Sequence, residues 1–114
     1  MERLGEVWLV RDGEVLAAAE LARTLRERAR GLLGRDGVAG ALVFRKCRQV
    51  HTFGMRFDID VAFCDTDGVV LRASTLHRRR MSPLVWRSAF VIEAEAGAFE
   101  RWGLRVGDRV EIKE

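Results

Sequence analysis

Thirteen consecutive residues, His51 to Phe63, read HTFGMRFDIDVAF and alternate almost without error. Apolar or aromatic side chains fill the odd positions, while Thr52, Gly54, Arg56, Asp58, Asp60 and Ala62 fill the even ones. Successive side chains of a strand point to opposite faces, so apolar residues at period two mark half-buried β-structure. The pattern predicts that Phe53, Met55, Ile59, Val61 and Phe63 face the core, while Arg56, Asp58 and Asp60 face solvent or a cleft. A straight strand of this length would run about 43 Å at ~3.3 Å per residue. A domain of ~100 residues has a radius of gyration near 13 Å. The segment is therefore expected to bend or break, at Gly54 or around Phe57-Asp58.

The same periodicities partition the rest of the chain. Asp12-Gly13 between Glu6–Arg11 and Glu14–Ala18 is a hairpin signal. Leu21, Leu25, Ala29, Leu32 and Leu33 share one helical face, with Arg23 and Glu27 paired on the other and Gly34 as the stop. The apolar strand Ala41–Phe44 follows. Ile59–Cys64 then turns at Asp65-Thr66-Asp67-Gly68 into Val69–Ser74, a second hairpin. A basic loop over 76–84 contains Pro83, the one proline of the chain. Ala89–Ala94 is a strand, Gly97–Trp102 a helical turn and Arg109–Ile112 the last strand. Short strands at regular spacing with one inserted helix predict an α+β, mainly β domain. The expected architecture is a small antiparallel β-barrel or sandwich with one α-helix packed on it, the helix meeting the core through Leu21, Leu25 and Leu32. At 114 residues the chain is expected to form one domain with a single core.

Composition excludes more than it selects. Hydrophobic residues at 48% and charged residues at 32% are those of an ordinary globular domain. No apolar run is long enough to span a membrane and no apolar h-region follows Met1, so the cytoplasm is the expected compartment. Cys47 and Cys64 are not a C-x-x-C pair, and Cys64 is expected to be a small buried hydrophobe. All but Lys46 and Lys113 of the 20 basic residues are arginine, yet the net charge is only +3 and His77-Arg78-Arg79-Arg80 is the one dense cluster.

Chemistry-bearing residues gather in and beside the alternating segment. On one strand face the Cα atoms of Asp58 and Asp60 would lie roughly 6.6 Å apart, close enough to share a cation. Asp65 and Asp67 are also what a tight turn requires, so a structural role is preferred for these carboxylates and no metal site is assigned. Neighbouring strand residues face apart, so His51 and Thr52 are not a nucleophile–base pair.

The blocks RARGLLGR at 28–35, GALVF at 40–44, HTFGMRFDIDVAFCDTDGVV at 51–70 and VIEAEAGAFERWGLRVGD at 91–108 resemble a family of small bacterial and archaeal proteins, domain-of-unknown-function family 192. Gly54 stands where that family usually has an aromatic residue, and Asp58 where it often has proline. The resemblance implies a compact barrel-like β fold with a helix across an open side, and for some members a context of pilus or secretion machinery. It implies no catalytic residues.

No complete catalytic constellation is present, so the expected function is binding. The expected partner is a peptide, a protein or a small anionic ligand, held on a surface of His51, Thr52, Arg56, Asp58 and Asp60 and walled by Arg78, Arg79 and Arg80. No cofactor is expected. One alternative is a metal-assisted or thiol hydrolase in which His51, Asp60 and Cys47 converge. Another is single-stranded nucleic-acid binding through Arg78–Arg80 with Arg45, Arg48 and Trp86, disfavoured by the 17 acidic residues.

Overall fold

Two-residue hairpin turns of the type that matches strand twist need positive φ at both positions. Asp12 and Gly13 supply it, at φ 50° and 80°. They join β1 (Gly5–Arg11) to β2 (Glu14–Ala22), with Arg11 opposite Glu14. The computed structural model describes residues 5–22 and 40–114. Leu21, the first residue of the expected helix, is a buried residue of β2 paired with Gly5. It fits either periodicity, and ladder hydrogen bonds to β1 decide the matter. The remainder of that expected helix, Leu25 and Leu32 included, lies outside the described residues.

There follow β3 (Ala41–Arg45), β4 (Ile59–Cys64), β5 (Val70–Leu76), β6 (Phe90–Glu95), the short helix α1 (Ala98–Trp102) and β7 (Glu111–Lys113). The protein is mainly β, and the seven strands among the described residues form one sheet in the order β5-β4-β6-β3-β2-β1-β7. The expected all-antiparallel sheet is corrected in one place: β2 and β3 pair parallel, Ala19 opposite Ala41. A parallel pair requires a crossover connection, and residues 23–40 make it. The sheet curls but does not close by a strand ladder. Instead the start of β5 is tied to the residues before β7 by Val70 N to Asp108 O, Gly107 N to Val70 O and Val110 N to Gly68 O, each 2.8 Å. Gly68 is required at this seam. It sits at φ 84°, and a Cβ there would lie 2.2 Å from the Val110 carbonyl oxygen.

Two apolar clusters lie on opposite faces of the sheet. The first takes Val7 and Leu9 from β1, Leu21, Val43, Ala62 and Ile92 from the middle strands, and Val70 from β5. Residues from both ends of the strand order meet there, so it is the concave interior, and Phe99 of α1 packs into it. The second joins Leu42, Phe44, Ile59, Val61, Phe63 and Val91 on the outer face. Leu21 is thus across the sheet from Phe63, not against it as expected. With apolar layers on both sides, every residue of β4 is buried. Glu93 of β6 is cross-strand neighbour to Leu42 and Val61 on the outer face and only 6% exposed. Burial pushes its carboxyl up to about 8.

The break expected near Gly54 is present, at φ 81°, and residues 51–58 form no continuous strand. The break inverts the parity. Ile59, Val61 and Phe63 are buried under the outer apolar layer, as the alternation predicts, but before Gly54 it is Thr52 that is buried and Phe53 that stands 47% exposed. The expectation of a buried Phe53 is therefore overturned, and so is that of an Asp60 facing solvent or a cleft, since Asp60 is 4% exposed.

Candidate functional site

Beyond the end of β3 the chain leaves the sheet, and residues 46–53 run antiparallel to 80–89. Four main-chain bonds join them, Lys46 N to Ala89 O, Val85 N to Arg48 O, Ser82 N to Val50 O and Thr52 N to Arg80 O, all between 2.7 and 2.8 Å. Short polar side chains complete the pairing that a regular ladder would make. Val50 N donates to Ser82 Oγ, Gln49 Nε2 to Ser82 O, and Ser88 Oγ to Cys47 O. Val50 and Val85 turn inward onto the outer apolar cluster. Leu84 and Trp86, on either side of Val85, are left exposed.

The far end of this lobe is the turn His77–Arg80, held from below by two residues. Buried Thr52 donates through Oγ1 to His77 O (2.5 Å) and accepts Arg80 N (2.9 Å). Asp58 accepts Arg78 N at Oδ1 (2.9 Å) and meets His77 Nδ1 at Oδ2 (3.0 Å), with Arg78 Nε 3.8 Å away. The His77 hydrogen bond first, then the Arg78 amide, hold the Asp58 carboxyl below its ordinary range. Arg79 adopts φ 60°, a region that costs a non-glycine residue on the order of 1–3 kcal/mol and persists only where neighbours impose it. The result is a fixed turn whose arginine side chains project outward. Beside it runs an open groove of about 460 Å³ lined by Met55, Asp58, His77, Arg78 and Arg79.

Of the residues singled out in the sequence, Asp58, Arg78 and Arg79 meet at this groove, and Arg56 and Arg80 are exposed beside it in the chain. His51 is exposed, stacks on Phe53 with ring centroids 5.5 Å apart, and bridges to Met81. Thr52 and Asp60 do not belong to the surface. Asp60 Oδ1 accepts Thr75 Oγ1 (2.7 Å), and Oδ2 accepts the amides of Gly97 (3.0 Å) and Phe99 (3.1 Å), so this carboxylate anchors the start of α1. Asp58 and Asp60 thus hold different partners and share no site. Asp60 is committed to this role, and the Cys47 thiol donates to Gln49 O at 3.3 Å, so the convergence of His51, Asp60 and Cys47 expected of a hydrolase does not form. Among the described residues no cluster of three or more His, Cys, Asp or Glu side chains could hold a metal ion. Asp65 Oδ1 accepts the amides of Asp67 and Val69, the turn role expected of it. Cys64 is buried, which pushes its thiol up to about 12 and leaves it a hydrophobe.

Sequence reasoning missed Met55 and His77 as groove residues. Met55 does pack against the outer apolar cluster, as expected of a core residue, but it also lines the groove, and His77 was treated only as part of a basic run. The unread signal was the lone acid Asp58 inside a stretch otherwise basic. Residues 45–58 and 76–89 carry eight arginines and lysines against Asp58, a charge of +7, so a whole-chain charge of +3 leaves −4 on the remainder. Arg45, Arg48, Arg79, Arg80 and Arg87 have no carboxylate partner among the described residues.

Residues 7–112 match the model of the DUF192 family, described as uncharacterized ACR, and the chain belongs to that family. Two crystal structures are similar to it. A protein of unknown function from Novosphingobium aromaticivorans is 22% identical, with a TM-score of 0.75 over 95% of this chain and 84% of its own. A protein from Sinorhizobium meliloti described as a candidate transcription regulator is 24% identical, with a TM-score of 0.79 over 98% of this chain and 97% of its own. At these identities the likeness establishes the fold alone. No curated protein matches the chain.

Proposed function

We propose that this member of the family is a binding protein that recognises an anionic group on a peptide, protein or small ligand through the groove beside His77–Arg80. The observation that carries this reading is the turn itself. Three successive arginines are presented on a backbone fixed by Thr52 and Asp58, one of them in a strained conformation, beside a concave surface. Guanidinium groups meet carboxylate and phosphate with paired donors, and a turn already ordered before binding loses little entropy when it binds. The segregation of charge supports the same reading, since the +7 of residues 45–58 and 76–89, on a chain of +3, draws anions to one place. We place this activity in the cytoplasm, on a surface that needs no cofactor.

The test is calorimetric titration with pyrophosphate and with a short all-glutamate peptide at low salt. Binding is expected to either or both, to weaken steeply as salt is raised, and to be lost in Arg78→Gln/Arg79→Gln. Absence of binding to both, or binding indifferent to that double variant, would remove the proposal.

A further inference from the structure

The lobe carries a second feature that anion binding does not use. Trp86 is 71% exposed, the most of any large apolar residue described, and Leu84, Met81 and Phe53 are exposed in the same lobe. Met81 bridges to His51, whose ring stacks on Phe53, so these three form one contiguous strip. The strip adjoins the arginine turn directly, because Met81 follows Arg80 in sequence. A contiguous exposed apolar patch rimmed by polar residues marks an interaction site. Tryptophan and arginine together are the residue types that dominate protein–protein binding energy, and methionine is enriched at such interfaces.

We infer that the partner is an acidic polypeptide segment bearing apolar side chains, its carboxylates on Arg78–Arg80 and its apolar groups on the strip of Phe53 and Met81 and on the exposed Leu84 and Trp86 of the same lobe. This rests on the anion-binding reading above and narrows it. Two observations favour a polypeptide over other polyanions. Bases stack on aromatic rings and arginine planes, but Met81 and Leu84 offer no ring to stack on, while aliphatic side chains of a peptide pack against them. The groove is concave, which admits a projecting carboxylate but not the flat face of a bilayer.

The experiment compares four probes by fluorescence titration of the intact chain. These are a peptide of alternating glutamate and leucine, an all-glutamate peptide of equal length, an oligothymidylate, and phosphatidylglycerol vesicles. The alternating peptide is expected to bind at least about tenfold more tightly than the all-glutamate peptide, the equivalent of about 1.4 kcal/mol. Trp86→Ala and Met81→Ser, both at exposed positions, should erase that advantage and leave all-glutamate binding unchanged. Equal binding of the two peptides, an advantage that survives both variants, or tighter binding of oligothymidylate or vesicles would overturn the inference while leaving anion recognition intact. No binding of any anionic probe would overturn both.

Discussion

β4 and the lobe are neighbours in sequence and obey different rules. Ile59–Cys64 is buried on both faces, its backbone paired on both sides by β5 and β6. Residues 46–58 and 77–89 have no regular ladder and are held by hydroxyl, amide and carboxylate side chains reaching into main chain, with Thr52 and Asp58 at the centre. In β4 a polar atom is tolerated only as an anchor, which is what Asp60 is. In the lobe an apolar atom is left in water, as Phe53, Met81 and Trp86 are. Stability is therefore concentrated in the central strands, and the surface proposed for recognition contributes little to it. Substitutions that look alike in sequence should then differ sharply in effect.

The sharpest contrast is between two phenylalanines of the same parity. Phe63 is 1% exposed, and Phe63→Ala should cost about 3–5 kcal/mol in urea unfolding, whereas Phe53→Ala should stay within about 0.5 kcal/mol. Equal costs would erase the distinction between the regions. Glu93 gives the next effect, read against pH. Its carboxyl lies near 4.5 in the unfolded chain and about 8 in the fold, so the folded state holds the proton more tightly. Stability from this group is full below pH 4.5 and is lost as pH climbs to about 8, on the order of 4 kcal/mol at ~1.36 kcal/mol per unit. Glu93→Gln should flatten that decline in a melting-temperature series from pH 5 to 8, and an unchanged slope would place the carboxyl in water.

The two aspartates two residues apart form the third pair. Asp60→Ala strips acceptors from Thr75 Oγ1 and from the amides of Gly97 and Phe99, and should cost about 3 kcal/mol. Asp58→Ala should leave the melting temperature nearly unchanged and instead speed amide exchange at Arg78, which it alone caps with a side chain. Smallest is Thr52→Val, which keeps the shape and removes one buried hydroxyl, at about 1–2 kcal/mol. Its signature should be faster exchange of the Arg80 amide.

Local signals were legible in the sequence and distant ones were not. Asp12-Gly13 and Asp65–Gly68 announce their hairpins because a tight turn is decided by the few residues within it. Ile59–Cys64 is found at its predicted limits. Parity across Gly54 was not legible, because a period-two pattern continues through the sequence even where the chain turns and resets its faces. Burial of Asp60 depends on partners at Thr75, Gly97 and Phe99, and the groove on the meeting of Asp58 with His77 nineteen positions on. The parallel pairing of β2 with β3 likewise follows from where the chain returns, not from the composition of either strand.

The central claim is that recognition belongs to the lobe and not to the sheet, and amide chemical-shift mapping tests it directly. The isotopically labelled chain would be titrated with the glutamate–leucine peptide at low salt. Perturbations confined to residues 45–58 and 76–89, strongest at Arg78, Arg79 and Trp86, are the predicted result. Perturbations centred instead on the groove of Glu6, Trp8, Ala18 and Glu20 on the β1–β2 hairpin would contradict the account.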